Sequence, residues 1–400
     1  MMDWDSKVAS NIKTVEFSGI RKFFDLASTM KDVISLGVGE PDYSAPEPVI
    51  EACIASLKRK ETSYTSNWGI LELRKEIGKL FETRYGVTYN PDDEIMVTVG
   101  VSEAIGAILT TILNPGDEVL IPDPAYLAYP ACVSIAHGKP ILVPTYAKDG
   151  FRLSVEELEK NITPGTKAIL IGYPNNPTGT VMDRDALVKV ASFAEKHDLI
   201  VISDEIYCDL TYEGKHTCFA SLPGMRDRTL VMNGFSKSYA MTGLRVGYIC
   251  GPAQIMQQVY KVHQYEILCT SVTSQYGAIA ALKYCNDDVK AMFREYETRR
   301  NIVYDGLCRM GLSVVKPQGA FYIFPDISVT GMNDEEFADR LLKEEKVGVV
   351  PGSCFGPQGK NHIRISYAAS REKLLEALKR MARFVDKHRK SERFRDYVSL

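Results

Sequence analysis

The chain has 400 residues, 45% hydrophobic and 25% charged, an ordinary globular composition with length for two or three domains' worth of core, which excludes a disordered chain. Forty-eight basic against fifty-one acidic side chains give a formal net charge of -3 without a long basic block, so small molecules are expected as partners rather than nucleic acid or an anionic membrane. Nine scattered cysteines with no C-x-x-C pair, no histidines at ligand spacing, no signal-peptide core in MMDWDSKVAS and no run of about 18 apolar residues point to a cytoplasmic protein with free thiols and no metal centre.

In chain order, residues 1–30 are polar with Val15, Phe17, Ile20, Phe23 and Phe24 spaced as on a short amphipathic helix, with a flexible arm as the competing reading. VISLGVGEPDY (33–43) is a short apolar run broken by Gly37, Gly39 and Pro41, hence a strand followed by an extended loop. Helical periods run over 46–58 and 70–85, with SYTSNWG between them as a loop carrying Tyr64 and Trp68. Then EIMVTVG (94–100) reads as a strand and SEAIGAILTTIL (102–113) as a helix, followed by the strand-like runs EVLIP, ILVP, KAILIGY, LIVISDE, TLVMN and LRVGYIC. Between them, 183–198 starts acidic and ends in Lys196 and His197, as a helix dipole favours.

Fully apolar strands alternating with helices predict an α/β fold: a large domain whose mostly parallel sheet is sandwiched by helices. Beyond about residue 285 the texture becomes charged helix, then VVKPQGAFYIFPDI, EEFADRLLKEEKVGVVPG, HIRISYAA and a closing helix, which predicts a smaller α+β domain. The division expected is 1–46 as an N-terminal arm and part of the small domain, 47–285 as the large domain and 286–400 as the small one, with the final SERFRDYVSL loosely attached.

Sites in such sheets lie at the carboxyl ends of strands. Ser102, Asn176, Asp204 and Lys237 each follow a strand-like run. Lys237, flanked by Ser236 and Ser238 with Arg245 downstream, can reach an aldehyde while the hydroxyls and the guanidinium take a phosphate; pyridoxal phosphate (PLP) needs both, and a solvated loop lysine is the plain alternative. Asp204 in VISDEIY would face a protonated pyridine nitrogen, keeping the ring an electron sink, or else cap a helix or bridge a basic residue. Tyr207 is either a donor to the cofactor's ring oxygen or a core tyrosine, and Asn176 in NNPTG either points an amide into the crevice or shapes an ordinary turn. GVSEAI presents a glycine turn and a helix N-terminus suited to phosphate, with Ser102 alternatively a helix cap. Tyr126 suits stacking on a flat ring or plain packing; Arg364, in a strand of alternating character, suits a substrate carboxylate or a structural ion pair.

Taken together, the ordered segments YTSNWGILELR, GVSEAI, PDPAYLAYP, YPNNPTG, SDEIY, SKSYAMTGLRVGY, GAFYIF, PGSCFG and HIRISYA resemble the fold-type I, class I/II PLP-dependent aminotransferases over nearly the whole chain. The resemblance implies that Lys237 carries the cofactor and acts with Asp204 and Tyr126 in catalysis. It further implies that Asp204 binds the pyridine nitrogen, that Asn176 and Tyr207 bind the ring oxygen, and that Tyr126 stacks on the ring. Gly100, Val101, Ser102, Ser236 and Arg245 would receive the phosphate. Arg364, with Asn176 and the backbone at Gly39, would hold the substrate α-carboxylate. Tyr64 would reach the cofactor phosphate of a partner subunit, implying a homodimer with shared sites.

Two departures stand out. Many members have a serine three residues before the lysine, where this chain has Gly234; some acid-preferring members carry a lysine at the position matching Ser102, or an arginine from the partner loop, and neither is identified in this sequence. The implied reaction is ping-pong transfer of the amino group of an L-amino acid, aromatic or broad in range, to a 2-oxo acid, 2-oxoglutarate above all. A PLP-dependent C–S lyase or other eliminating enzyme is the alternative, ahead of a strict aspartate aminotransferase.

Overall fold

The computed structural model describes residues 2–17, 19, 30 and 32–389. Of the residues that suggested an amphipathic helix within 1–30, Ile20, Phe23 and Phe24 lie outside the described residues, whereas Val15 and Phe17 are described and not helical; just ahead of them Ser10–Lys13 form a single helical turn (α1). The tail 391–400 also lies outside them.

After β1 (Ile34–Ser35) come α2 (Glu47–Lys58) and α3 (Leu71–Tyr85), and then the strands of the main sheet. These are β2 (Ile95–Thr98), β3 (Glu118–Asp123), β4 (Lys139–Pro144), β5 (Thr166–Gly172), β6 (Ile200–Asp204), β7 (Thr229–Gly234) and β8 (Gly247–Cys250). Their spatial order is β2-β8-β7-β6-β5-β3-β4, with β8 antiparallel to both neighbours and every other pairing parallel. Apolar runs without polar alternation are what a sheet covered on both faces requires. Along β2 and β7, Val97 and Val231 enter one core while Met96, Leu230 and Met232 enter the opposite one.

Helices interleave with these strands: α4 (Gly100–Ile112), α5 (Ala128–Ile135), α6 (Val155–Asn161) and α7 (Arg184–Lys196). The α7 start is closed by Asp183, whose carboxylate accepts the Ala186 N–H at 2.9 Å, and Lys196 sits in the last turn where the dipole favours a cation. α8 (Ala253–Glu266) and α9 (Val272–Tyr284) complete this part of the chain.

A second core gathers around α10 (Asn286–Arg309), β9 (Tyr322–Ile323), α11 (Asp334–Glu345), β10 (Val347–Gly348), β11 (Val350–Pro351), β12 (Ile363–Ser366) and α12 (Arg371–His388). The antiparallel sheet runs β11-β12-β9, and β1 pairs in parallel with β10. Because β12 is the middle strand, Ile363, Arg364, Ile365 and Ser366 are all buried: the alternation of residue type in this strand is not an alternation of exposure. Leu36 and residues from Ile206 to Tyr212 join this core, so the segments flanking the crevice are fastened to it from both sides.

Candidate active site

The carboxyl ends of β5, β6 and β7 open onto a cavity of 590 Å³ lined in part by Gly39, Val101, Ser102, Tyr126, Asn176, Asp204, Tyr207, Ser236, Lys237, Arg245 and Arg364. Gly100 is not itself among the lining residues but packs against one of them: with φ at +70°, a conformation suited to glycine, its missing side chain leaves room for Arg245, whose Nη2 would lie 2.6 Å from an added Cβ. Tyr64 is outside this cavity and exposed on the loop before α3, a loop pinned by buried Gln275 through the Ile70 N–H at 2.7 Å and Thr65 at 3.2 Å.

Asp204 terminates β6 and is buried; its Oδ2 accepts the Tyr129 hydroxyl at 2.7 Å and its Oδ1 the Ile206 N–H at 3.1 Å. Burial pushes its carboxyl up to about 6, against the downward pull of these two donors. Lys237 leaves the turn after β7 and donates to the Gly39 carbonyl at 2.7 Å. Although the residue as a whole is only half-buried, its amine is enclosed, and that desolvation brings it down to about 8 while Glu40 opposes the shift.

Arg364 is buried with its Nη1 donating to Asn176 Oδ1 at 3.0 Å and its Nη2 to the Gly37 carbonyl at 2.6 Å. The guanidinium also lies 4.5 Å from the Tyr322 ring centre and 4.8 Å from that of Phe355. No carboxylate pairs with it among the described residues, and its Nε–H has no partner. Burial lowers its pKa, as expected of a cation without a counter-charge.

Asn176 is held by a turn in which the Gly179 N–H reaches Asn175 O at 2.8 Å and the Thr178 hydroxyl reaches Asn175 Oδ1 at 2.9 Å, so the shaping of NNPTG falls to Asn175 and leaves the Asn176 side chain free for the crevice. Tyr207 is buried and its hydroxyl lies 2.8 Å from that of Tyr322. Tyr126 remains partly exposed and meets Tyr129 edge to face at 5.6 Å. Ser102 is not a helix cap: α4 begins at Gly100 after Val99, and the Ser102 hydroxyl faces Arg245 Nη2 at 3.5 Å. Gly234 has a packing reason, since an added Cβ would lie 2.9 Å from Gly247 Cα on β8.

Sequence reasoning missed Tyr129, Tyr322 and Phe355. Tyr129 and Tyr322 stood inside the quoted segments PDPAYLAYP and GAFYIF, but nothing local distinguishes them from core aromatics.

An enclosed amine and a buried carboxylate at the strand ends of a doubly covered α/β sheet, with Arg245 beside them and Arg364 reaching the same cavity from β12 of the second sheet, are the groups of an enzyme site. The model of aminotransferase class I and II matches residues 31–381. The chain is 46% identical over 380 residues to aromatic-amino-acid aminotransferase 2 of Thermococcus litoralis, covering 94% of this chain and 97% of that one. It is likewise 46% identical over 380 residues to an aspartate aminotransferase of Pyrococcus abyssi, with 94% and 97% covered. The crystal structure of an aromatic aminotransferase from Pyrococcus horikoshii OT3 matches with a TM-score of 0.88 at 44% identity, covering 92% of this chain and 99% of that one. The chain therefore belongs to the class I and II aminotransferases.

Enzymes of this family use pyridoxal 5′-phosphate. The residues present fit it: an enclosed amine for the aldehyde, the notch at Gly100 beside Arg245 for a phosphate, and a buried carboxylate for the ring nitrogen. Among the described residues no helix is long and apolar enough to cross a membrane.

Proposed function

We propose that this aminotransferase transfers the amino group of an L-amino acid, aromatic or broad in range, to a 2-oxo acid, 2-oxoglutarate above all, in a ping-pong reaction. The observation that carries the proposal is Arg364, a buried guanidinium preorganised by four protein contacts yet lacking a counter-anion among the described residues, as a site for an α-carboxylate requires. Lys237 would hold the cofactor, Asp204 would keep a proton on its ring nitrogen, Asn176 and Tyr207 would serve its ring oxygen, and Tyr126 would pack on the ring. Gly100, Val101, Ser102, Ser236 and Arg245 would take the phosphate. When bound, the cofactor supplies an electron sink for charge developing at the substrate α-carbon. With its pKa drawn down to about 8, Lys237 Nζ is available near neutral pH to take the proton from that carbon and return one. Arg364 and Asn176 would fix the carboxylate, helped by the Gly39 backbone, which lines the same cavity.

The relatives' names split between aromatic and aspartate substrates at equal identity, so the donor is read from the cavity. Its described lining cations, Lys237, Arg245 and Arg364, all have roles in this reading, leaving none for a second substrate carboxylate, whereas Val38, Leu127, Tyr126 and Tyr322 offer apolar surface. A homodimer is supported by Ile50, Ile54 and Leu57, which share one exposed face of α2, and by Tyr64, exposed and ready for a partner's site. The pairing of β1 with β10 supports assigning part of 1–46 to a small domain with 286–400, and 47–285 to the cofactor domain. Nine free cysteines suit a reducing cytoplasm.

A panel of amino donors with 2-oxoglutarate, scored separately for glutamate and for pyruvate with ammonia, tests this reading. Glutamate formation with aromatic donors is expected, and Lys237→Ala should abolish it while PLP still binds. Pyruvate and ammonia without glutamate would establish the eliminating enzyme instead, and turnover retained in Lys237→Ala would remove the lysine from its role.

A further inference from the structure

We propose that Tyr129 is a positioning residue for Asp204, keeping that carboxylate ionised and aimed into the cavity. The inference rests on the role assigned above to Asp204 toward the cofactor's ring nitrogen. Three observations on different segments converge on it. First, the Tyr129 hydroxyl, at the first turn of α5, donates to Asp204 Oδ2 at 2.7 Å, and both residues are buried. Second, Gly172 on β5 stands directly across from Asp204 in the β5–β6 register. A Cβ there would overlap the Tyr129 hydroxyl and come within 3.3 Å of its ring carbons, so the glycine makes the notch in which the phenol lies. Third, Tyr126 braces the Tyr129 ring edge to face at 5.6 Å, which ties the ring that covers the cavity to the donor that holds the carboxylate.

Among the described residues Asp204 has two protein donors, the Ile206 N–H on Oδ1 and Tyr129 on Oδ2. A buried carboxylate stripped of one donor moves toward its neutral form, and a neutral acid holds a ring-nitrogen proton poorly. The titratable and charged groups around Asp204 are Glu205 next to it just past the end of β6, Lys237 from the turn after β7, and Tyr126 and Tyr129 from the segment after β3. Glu205 pushes the carboxyl up and Lys237 pulls it down, so Tyr129 works with Lys237 against burial and Glu205.

The test is Tyr129→Phe, which keeps the ring, with Asp204→Asn as reference. In cofactor-free protein labelled with [γ-13C]aspartate, the Asp204 resonance, identified by its loss in Asp204→Asn, should titrate about one unit higher in Tyr129→Phe. In the holoenzyme kcat should fall about tenfold at neutral pH with KM for the donor nearly unchanged, and the loss should shrink as pH rises. Placing 3-fluorotyrosine at 129, a more acidic phenol, should move the carboxyl titration downward. An Asp204 titration and a pH–rate profile unchanged in Tyr129→Phe, alongside an inactive Asp204→Asn, would overturn the inference alone. Should Asp204→Asn retain wild-type turnover and PLP affinity, the reading beneath it falls as well.

Discussion

Replacing Arg364 by lysine isolates the geometry of the carboxylate site from its charge. In the wild type the guanidinium plane is set before any substrate arrives, by Asn176 Oδ1 at 3.0 Å, the Gly37 carbonyl at 2.6 Å and the rings of Tyr322 and Phe355 at 4.5 and 4.8 Å. Lysine keeps one positive charge but presents it as a point on a flexible stem, so the two-pronged contact to a carboxylate becomes a single one. A charge-assisted hydrogen bond contributes about 1.5–3 kcal/mol, so losing one lowers kcat/KM roughly 10- to 150-fold. The stacked contacts add to the loss through freer motion of the cation. The assay compares an aromatic amino acid with the corresponding amine that lacks the α-carboxylate, each in a single-turnover half-reaction followed by cofactor absorbance. Arg364→Lys should depress the amino acid reaction by that factor and leave the amine reaction within about twofold of wild type. Equal losses for both substrates, or no loss for the amino acid, would refute a carboxylate role for Arg364.

In cofactor-free protein, Lys237 should make stability rise with pH. Its amine is held near 8 in the folded chain against an ordinary 10.5, so between those values the folded chain has lost a proton that the unfolded chain keeps, and burial of the charge no longer opposes folding. Lys237→Met should therefore be more stable than wild type near pH 7, by at most about 3 kcal/mol, and denaturation series should show the advantage narrowing as pH climbs through that window; parallel curves would contradict the assigned burial. Gly100→Ala should lose about 1–2 kcal/mol from its left-handed backbone and, by displacing Arg245, should also weaken PLP retention in equilibrium dialysis. Gly86→Ala is the control, since Gly86 has φ +67° with open space around it: it should show the backbone loss alone, and equal PLP retention in the two variants would remove the phosphate notch.

Much of this site was readable because its parts sit where local patterns end. Asn176 and Lys237 follow β5 and β7 and Asp204 ends β6, strands whose unbroken apolar runs announce themselves without any knowledge of their neighbours. Ser102 marks the limit of such reasoning: its position near a helix start was legible, but α4 begins two residues earlier and the hydroxyl faces Arg245 instead of capping. For Arg364 the strand was legible and its burial was not, because the central place of β12 depends on β9 and β11 arriving from either side.

Tyr129 shows the same limit more sharply. Its hydroxyl meets a carboxylate 75 positions away, in a notch left by a glycine on a third segment, and no periodicity carries that information. Gly234 looked like a missing hydroxyl and is a close approach between β7 and β8. Sequence by itself determined the order of strands and helices and the chemical groups at their ends, because hydrophobic period and side-chain chemistry are local properties. Tertiary structure alone decided that Lys237 would be enclosed, that Arg364 would lack a counter-anion among the described residues and that Tyr129 would donate to Asp204, because desolvation and charge pairing arise only when distant segments exclude water together.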